Sequence, residues 1–456
     1  MFKKIRERSL HLVVFAFLTG LFLGVNLSFK AEALEPAHSY LDYFHQVYQI
    51  IRTEYVDTVE TKSLFYGAIR GMLQALNDPF TRFLNEEDFA ELKEETTGKF
   101  VGVGIEITMK DGEIVVISPI DDTPAMKAGI KAGDRITKID SSELKDKSLA
   151  EIIKLIRGLP HTKVRLTVVR EGFDDPITFD LERMPIKIDA VSYTILEEYS
   201  TGYIKVKTFS TDTSREIEKA LSEFNARRIQ RVIVDLRWNP GGLLDQAISM
   251  SELFLDKGKM IVSTRGREGS GNFKEYLSER SALYGAELVV LVNKGSASAS
   301  EIFAGAIRDN GRGRLVGEKT FGKGSVQKSY NLNEKIGLAL TIAKYYTPSG
   351  VSIHGKGIQP DFVVSSESFP EADRKNVNAI YREKLVDEFL KTHKGYTPEN
   401  RKDFIEFLKT RNLTISEKSA NYILKSEINR FVKQPLYDLE FDAQLKKAIE
   451  VVGKQS

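Results

Sequence analysis

Leu288-Val289-Val290-Leu291-Val292-Asn293-Lys294-Gly295-Ser296-Ala297-Ser298-Ala299-Ser300-Glu301-Ile302-Phe303 reads as three pieces in succession. Residues 288–292 are an unbroken apolar run, the mark of a strand buried on both faces. Residues 295–300 are all small. Apolar residues then resume from 302 to 307 as the start of a helix. A Gly/Ser/Ala run by itself suits a flexible linker. Between a buried strand and an amphipathic helix it is instead a tight strand-to-helix turn. The same unit recurs nearby: a strand over 203–209 precedes a helix over 213–225. A strand over 232–236 leads through Asn239-Pro240-Gly241-Gly242 into a helix over 244–254, and Gly337–Tyr346 alternates as a long strand. Repetition of this kind predicts an α/β core over residues 186–365, a sheet with helices packed on it.

A serine on such a turn projects from the sheet edge, as in a nucleophile elbow. The positive end of the following helix favours developing negative charge there. Ser296, Ser298 and Ser300 are hard to rank by pattern, since one of them could simply cap the helix. Ser298, where the chain leaves the turn and enters the helix, is the central candidate. With no cysteine in the chain, no thiol competes for the nucleophile role. Of six histidines only His354 belongs to the α/β region, and it sits in a loop-like stretch. Lys323, in Phe321-Gly322-Lys323-Gly324, is the better base: the glycines permit close packing, and burial disfavours the ammonium form. Gln327, four residues on, can orient its amine. An oxyanion hole requires convergent N–H groups. The Pro240-Gly241-Gly242 turn and the Ala299 N–H supply candidates, although an ordinary βα turn would suit the same glycines.

Outside the core, residues 99–185 read as a small β-rich domain. Strands are expected over 103–108, 113–117 and Lys163–Val169, with Asp111-Gly112 turning between the first two. Ser148 and Glu151 have capping-box spacing before an apolar helix through Ile152, Ile153, Leu155 and Ile156. Residues 36–98 read as helical, with helices expected over 40–51, 64–76 and 86–95, and suggest a packing or dimerisation element. Residues 366–456 carry charged helices with two apolar faces. One is Phe404, Phe407 and Leu408; the other is Tyr422, Ile423, Ile428 and Phe431.

The chain has 456 residues and a net charge of +2 from 66 basic and 64 acidic residues, which argues against a dedicated nucleic-acid binder. Its length suits about two to four domains. Zero cysteines exclude disulfides and thiolate zinc sites. Lys3, Lys4, Arg6 and Arg8 precede an uncharged stretch over 9–29, followed by Ala31-Glu32-Ala33. This is the layout of an export signal, or of a membrane anchor if it is retained. The rest of the chain is then expected outside the cytoplasm, periplasmic or anchored to the outer face of the cytoplasmic membrane.

The ordered motifs resemble those of the carboxy-terminal processing peptidases, also called tail-specific proteases. They include Leu76-Asn77-Asp78-Pro79-Phe80-Thr81, Gly102-Val103-Gly104-Ile105, Gly133-Asp134-Arg135-Ile136, Asp235-Leu236-Arg237, Asn239-Pro240-Gly241-Gly242, the 296–301 run, Phe321-Gly322-Lys323-Gly324 and Gly357-Ile358-Gln359-Pro360-Asp361. The likeness spans about residues 40–365. It implies that Ser298 is the nucleophile and Lys323 the general base, with Gln327 orienting it. It places the oxyanion donors at Gly241 or Gly242 and at Ala299. The small domain resembles a PDZ module, which binds C-terminal peptides by strand addition. Gly102, Val103, Gly104 and Ile105 match its carboxylate loop. Arg157 closes the helix that flanks the peptide groove, linking occupancy to the core or merely offering helix C-terminal charge.

The expected architecture is multidomain α/β: a signal peptide or anchor (1–33), an N-terminal helical segment (36–98), a PDZ-like domain (99–185), an α/β, crotonase-like protease core (186–365) and a C-terminal helical extension (366–456). The expected activity is that of a serine endopeptidase needing no cofactor or metal. Its rivals are a catalytically silent peptide-binding scaffold and an acyl-transfer enzyme acting on thioesters. Expected partners are protein or peptide substrates with exposed apolar C-termini, with room for a homo-oligomer and for an adaptor protein. Nucleic acid is not expected, and membrane association would run through residues 9–29.

Overall fold

The computed structural model describes residues 35–453 apart from 111, 121, 132, 146, 171–174, 188, 367–368 and 430–434. The export or anchor segment over 1–33, membrane association through 9–29, Asp111 of the expected turn and Phe431 of the C-terminal apolar face lie outside the described residues. The chain divides into two compact units, residues 1–85 and 86–456.

In the first unit, helices Glu35–Glu54 and Thr61–Gln74 precede a short strand, Arg82–Leu84. The rings of Phe44 and Tyr48 pack on Phe65 at 6.0 and 5.1 Å between centroids. The strand falls in the gap between the helices expected over 64–76 and 86–95. The second helix ends because Pro79 cannot continue it, and the Asp78 carboxylate accepts from Phe80 N and Thr81 Oγ1 to fix a turn.

The second unit opens with helix Glu86–Thr97. Strand Lys99–Gly102 then pairs with Met184–Lys187, so the chain enters and leaves the small domain side by side. Between them lies an antiparallel sheet in the order 105–110, 113–119, 135–139, 163–169, 177–182. Helices Pro124–Ala128 and Leu149–Ile156 accompany it. Ser148 and Glu151 form the capping box read from their spacing. Val103, Ile114, Val116, Ile152, Leu166 and Val168 build its core.

The larger core has a sheet with strands Thr201–Val206, Arg231–Asp235, Glu287–Val292, Arg314–Gly317 and Phe362–Val363 parallel to one another, and Val191–Leu196 antiparallel at one edge. Side chains alternate across a sheet, and the continuous apolar runs follow from burial on both faces. Val232, Val234, Leu288 and Val290 pack with helices Thr213–Ala226, Leu244–Glu252 and Ala299–Asp309. Ile233, Val289 and Leu291 face the other way, against Leu445, Ala448 and Val452 of helix Ala443–Val452. A second antiparallel sheet joins Met260–Gly266, Lys274–Leu277, Ser325–Asn331 and Gly337–Tyr346. The C-terminal extension thus has two parts. Helices over 371–429 share a separate apolar cluster that includes Phe404, Leu408 and Ile423, and the last helix returns to the core sheet.

Candidate active site

The parallel strands Arg231–Asp235 and Glu287–Val292 are neighbours, so the turns that follow them come together. Asn239 stitches these turns. It is fully buried. Its Oδ1 accepts from Gly241 N at 2.9 Å, and its Nδ2 donates to Val206 O at 2.9 Å. Its carbonyl accepts from Ala297 N at 3.0 Å and from Ser300 Oγ at 3.0 Å. Ser296 Oγ donates to Leu236 O at 2.8 Å and accepts from Asn293 N. Ser296 and Ser300 are therefore buried braces between the two turns, which separates three serines that the sequence pattern alone could not rank. Ser298 is half-buried and stands at the N-terminus of helix Ala299–Asp309. Its φ of 56° and ψ of −114° lie where a non-glycine residue is strained, by about 1–3 kcal/mol. Such strain persists only when the surroundings over-determine it.

The glycines of the first turn are required by contact. A Cβ on Gly241 would lie 2.8 Å from Ser298 Cβ and 2.9 Å from Ala299 N. One on Gly242, at φ +142°, would lie 2.2 Å from Phe209 O. The Gly241 N–H is already given to Asn239. The N–H groups of Gly242 and Ala299 are spent on no acceptor among the described residues.

Glu301 is the residue whose role sequence reasoning missed. Its side chain is buried in the first turn of the site helix. Oε2 accepts from Ser298 N at 2.9 Å and from Lys323 N at 2.8 Å. Oε1 accepts from Thr320 Oγ1 at 2.6 Å and Gly322 N at 2.8 Å. The backbone nitrogens of residues 298 and 323 are thus no farther apart than two hydrogen bonds laid end to end. Burial pushes the Glu301 carboxyl up, against the four donors that favour its ionised form. The available signal was its place three residues after the N-cap, where a carboxylate reaches back to the cap N–H.

The lysine turn is held further by Phe321 N to Ser296 O at 3.0 Å and Gly355 N to Gly322 O at 2.9 Å. Lys323 is half-buried. Gln327 lies on the adjoining strand, its Nε2 donating to Ser325 Oγ at 2.8 Å and Thr341 Oγ1 at 3.3 Å. His354 is exposed in the neighbouring loop. Trp238, the only tryptophan in the chain, is 63% exposed beside the first turn with φ 62°.

Beneath the first turn lies a buried charge cluster. Asp235 accepts from Tyr203 OH at 2.6 Å, from Arg237 Nη2 at 2.7 Å and from Lys205 Nζ at 3.2 Å. Burial by itself would raise this carboxyl, but Arg237 and Lys205 outweigh it and hold it down to about 2. A carboxyl depressed in the folded state stabilises fully above its unfolded value, near ~4. It loses that contribution as pH falls through the folded value. Asp235→Asn is therefore expected to cost about 3–5 kcal/mol near neutral pH, because Lys205 loses its carboxylate and Arg237 one of its two in a buried cluster. The gap from wild type should close between about pH 5 and about pH 2. Urea unfolding across that range measures it.

In the small domain, Gly104 has φ +79°, and a Cβ there would meet Thr123 at 2.3 Å. Ala125 N donates to Val103 O, while Ile120 N and Thr123 Oγ1 donate to Gly104 O. The carbonyls of the loop are thereby tied to its own domain. Ile105 and Ile107 are half-buried on the adjoining strand. Arg157 is the C-cap of helix Leu149–Ile156. Its Nη1 donates to Glu94 at 2.6 Å, and its guanidinium lies over the Phe100 ring at 5.2 Å. Its partner is thus on helix Glu86–Thr97 and not on the sheet of the core. Two residues on, Thr96 O accepts from Thr211 N and Thr211 Oγ1. Phe209 N in turn donates to Gly241 O at 2.9 Å.

Comparison with known proteins gives three family matches. Peptidase family S41 matches residues 200–364, the activating protease CtpB N-terminal domain matches residues 25–88, and a PDZ domain matches residues 115–170. The chain is 40% identical over 367 residues to a carboxy-terminal-processing protease of Bartonella bacilliformis, covering 78% of this chain and 83% of that one. It is 32% identical over 455 residues to the carboxy-terminal processing protease CtpA of Bacillus subtilis, covering 97% of each. Among solved structures, a photosystem II D1 C-terminal processing protease is 33% identical, covering 72% of this chain and 88% of that one, with a TM-score of 0.43.

Proposed function

This chain belongs to the carboxy-terminal processing proteases, serine proteases of family S41 that carry a PDZ domain, and from that premise we propose that it is an exported endopeptidase that hydrolyses peptide bonds with Ser298 and Lys323 after its PDZ domain engages an apolar C-terminal tail. The observation that carries this reading is the single buried oxygen, Glu301 Oε2, that accepts from both Ser298 N and Lys323 N. The Lys323 amine takes the proton of Ser298 Oγ as that oxygen attacks the scissile carbonyl. The oxyanion rests on the N–H groups of Gly242 and Ala299. The lysine then passes its proton to the departing amine, leaving an acyl-enzyme. A water deprotonated by the same amine releases the product. Gln327 steadies the lysine, its carbonyl oxygen accepting from the amine while its amide is held by Ser325 and Thr341.

The tail lies along strand Ile105–Lys110 with its carboxylate in the Gly102–Ile105 loop. The half-buried Ile105 and Ile107 favour apolar tail residues. Arg157 relays occupancy through Glu94 and helix Glu86–Thr97 toward Thr211 and Gly241, a route supported by the bonds described above. Tyr40, Tyr43, Val47 and Ile50, exposed on helix Glu35–Glu54, support self-association. The test is an unfolded substrate ending in apolar residues, compared with the same substrate ending in aspartates. The full chain is expected to cleave the first faster by about tenfold, equal to ~1.4 kcal/mol. Binding without cleavage would show a scaffold, and turnover confined to acyl thioesters would show a different enzyme.

A further inference from the structure

Residues 366–456 carry no nucleophile or base of the proposed reaction, yet one of their side chains reaches the turn that supplies the oxyanion donors. Asp442 caps helix Ala443–Val452, its Oδ1 accepting from Leu445 N at 2.8 Å. The same carboxylate meets Arg237 end to end: Nη1 donates to Oδ1 at 2.8 Å and Nη2 to Oδ2 at 2.7 Å. Gln444 Oε1 accepts from Nη1 at 3.1 Å. On its other side the guanidinium binds Asp235. Only 12% of the Arg237 side chain is exposed, so water does not replace a missing partner. The Arg237 carbonyl accepts from Lys205 Nζ at 3.1 Å, and two residues later Asn239 holds the Gly241 N–H. Two cations and two anions therefore balance in one buried cluster, and the second anion comes from the far end of the chain.

We propose that Asp442 is a positioning residue for the oxyanion turn, so that the docked C-terminal helix is a working part of the hydrolytic centre. The proposal rests on the hydrolytic reading above. With both carboxylates in place the guanidinium has a single orientation, and the backbone leaving residue 237 is fixed at both the side chain and the carbonyl. Without Asp442 the guanidinium keeps Asp235 and the neutral Gln444 but loses the bidentate carboxylate that squares it, so the fork can swing and the turn from Trp238 to Gly242 loosens. Oxyanion stabilisation depends on donor placement at the moment of reaction. Tail binding, which occurs in the PDZ domain, does not.

The experiment uses the full chain and a peptide with an apolar C-terminus. Asp442→Asn is expected to lower kcat by about 10–100-fold with KM unchanged, less than the ~10²–10³-fold that follows outright loss of an oxyanion donor, because the donors are displaced and not removed. Labelling of Ser298 by a fluorophosphonate should slow in parallel. Asp442→Glu, which keeps the charge, should fall between the two. Leu445→Ala weakens the packing of the same helix without touching Arg237, and should lower Tm while keeping kcat. The proposal is overturned if folded Asp442→Asn keeps kcat within about twofold of wild type, or if Leu445→Ala loses kcat to the same degree. If Asp442→Asn does not fold, Asp442→Glu decides: a lowered kcat at constant KM supports the proposal, and a wild-type kcat overturns it. A wild-type chain that cleaves no peptide would instead overturn the hydrolytic reading, and the positioning role with it.

Discussion

Ser298→Ala and Lys323→Met are each expected to reduce kcat by about 10⁴–10⁶-fold, the loss that follows removal of one member of a cooperating nucleophile and base. The two losses should not add. Once the hydroxyl is gone the amine has nothing to deprotonate, so the double variant should be no slower than either single one. Methionine keeps the length and flexibility of lysine without its amine, which makes the second variant a test of chemistry and not of packing. Lys323→Arg should be as inactive, because a guanidinium keeps its proton at any working pH. The three single variants and the double variant should retain the wild-type circular dichroism spectrum and bind tail peptides as wild type does. Substantial turnover by Lys323→Met would remove the amine from the mechanism. Single-turnover hydrolysis with fluorophosphonate labelling measures both steps.

Glu301→Gln should produce the next largest change, about 10²–10³-fold in kcat, although the side chain is isosteric and meets no substrate. Every contact its carboxylate makes is as an acceptor. Two of the donors converge on Oε2 and two on Oε1. An amide turns one of those oxygens into an NH2 group that faces N–H or O–H donors. Each buried group left unpaired costs about 1–3 kcal/mol. If Nε2 replaces Oε2, the orphans are the N–H groups of residues 298 and 323, the two that set the distance between hydroxyl and amine. If it replaces Oε1, the Thr320 and Gly322 side of the lysine turn is released. Protonation of wild-type Glu301 has the same consequence, and burial pushes that carboxyl up. Activity should therefore fall on the acid side before an ordinary carboxylate would titrate, and Glu301→Gln, already slow, should lack that limb. A pH profile of kcat for the pair distinguishes this outcome from simple destabilisation. An unchanged acid limb in the variant would exclude Glu301 as its origin.

The strand–turn–helix at residues 288–307 was legible because its signals are local: a run of apolar residues, then small ones, then helical spacing. The ranking of Ser296, Ser298 and Ser300 was not, since it depends on which hydroxyls meet the carbonyls of Leu236 and Asn239, some sixty positions away in sequence. Which of Gly241 and Gly242 keeps an N–H to offer likewise turns on a side chain, because Asn239 takes the Gly241 N–H. The strand Arg82–Leu84, between the helices read over 64–76 and 86–95, is too short for a period to register. Asp442 reads as an ordinary helix cap, and nothing within several residues of it points to Arg237. Long-range ion pairs leave no periodicity. Their only trace is a charged residue in a segment that otherwise looks like solvated helix.

The paired strands Lys99–Gly102 and Met184–Lys187 bring the two ends of the PDZ domain together. A module whose inlet and outlet share one ladder is, in engineering terms, a cartridge. Because its two ends are adjacent, a domain with a different groove fits the same seam without changing how far the flanking chain must reach. Choice of clientele can thus change within one polypeptide while the sheet that carries bond scission is kept.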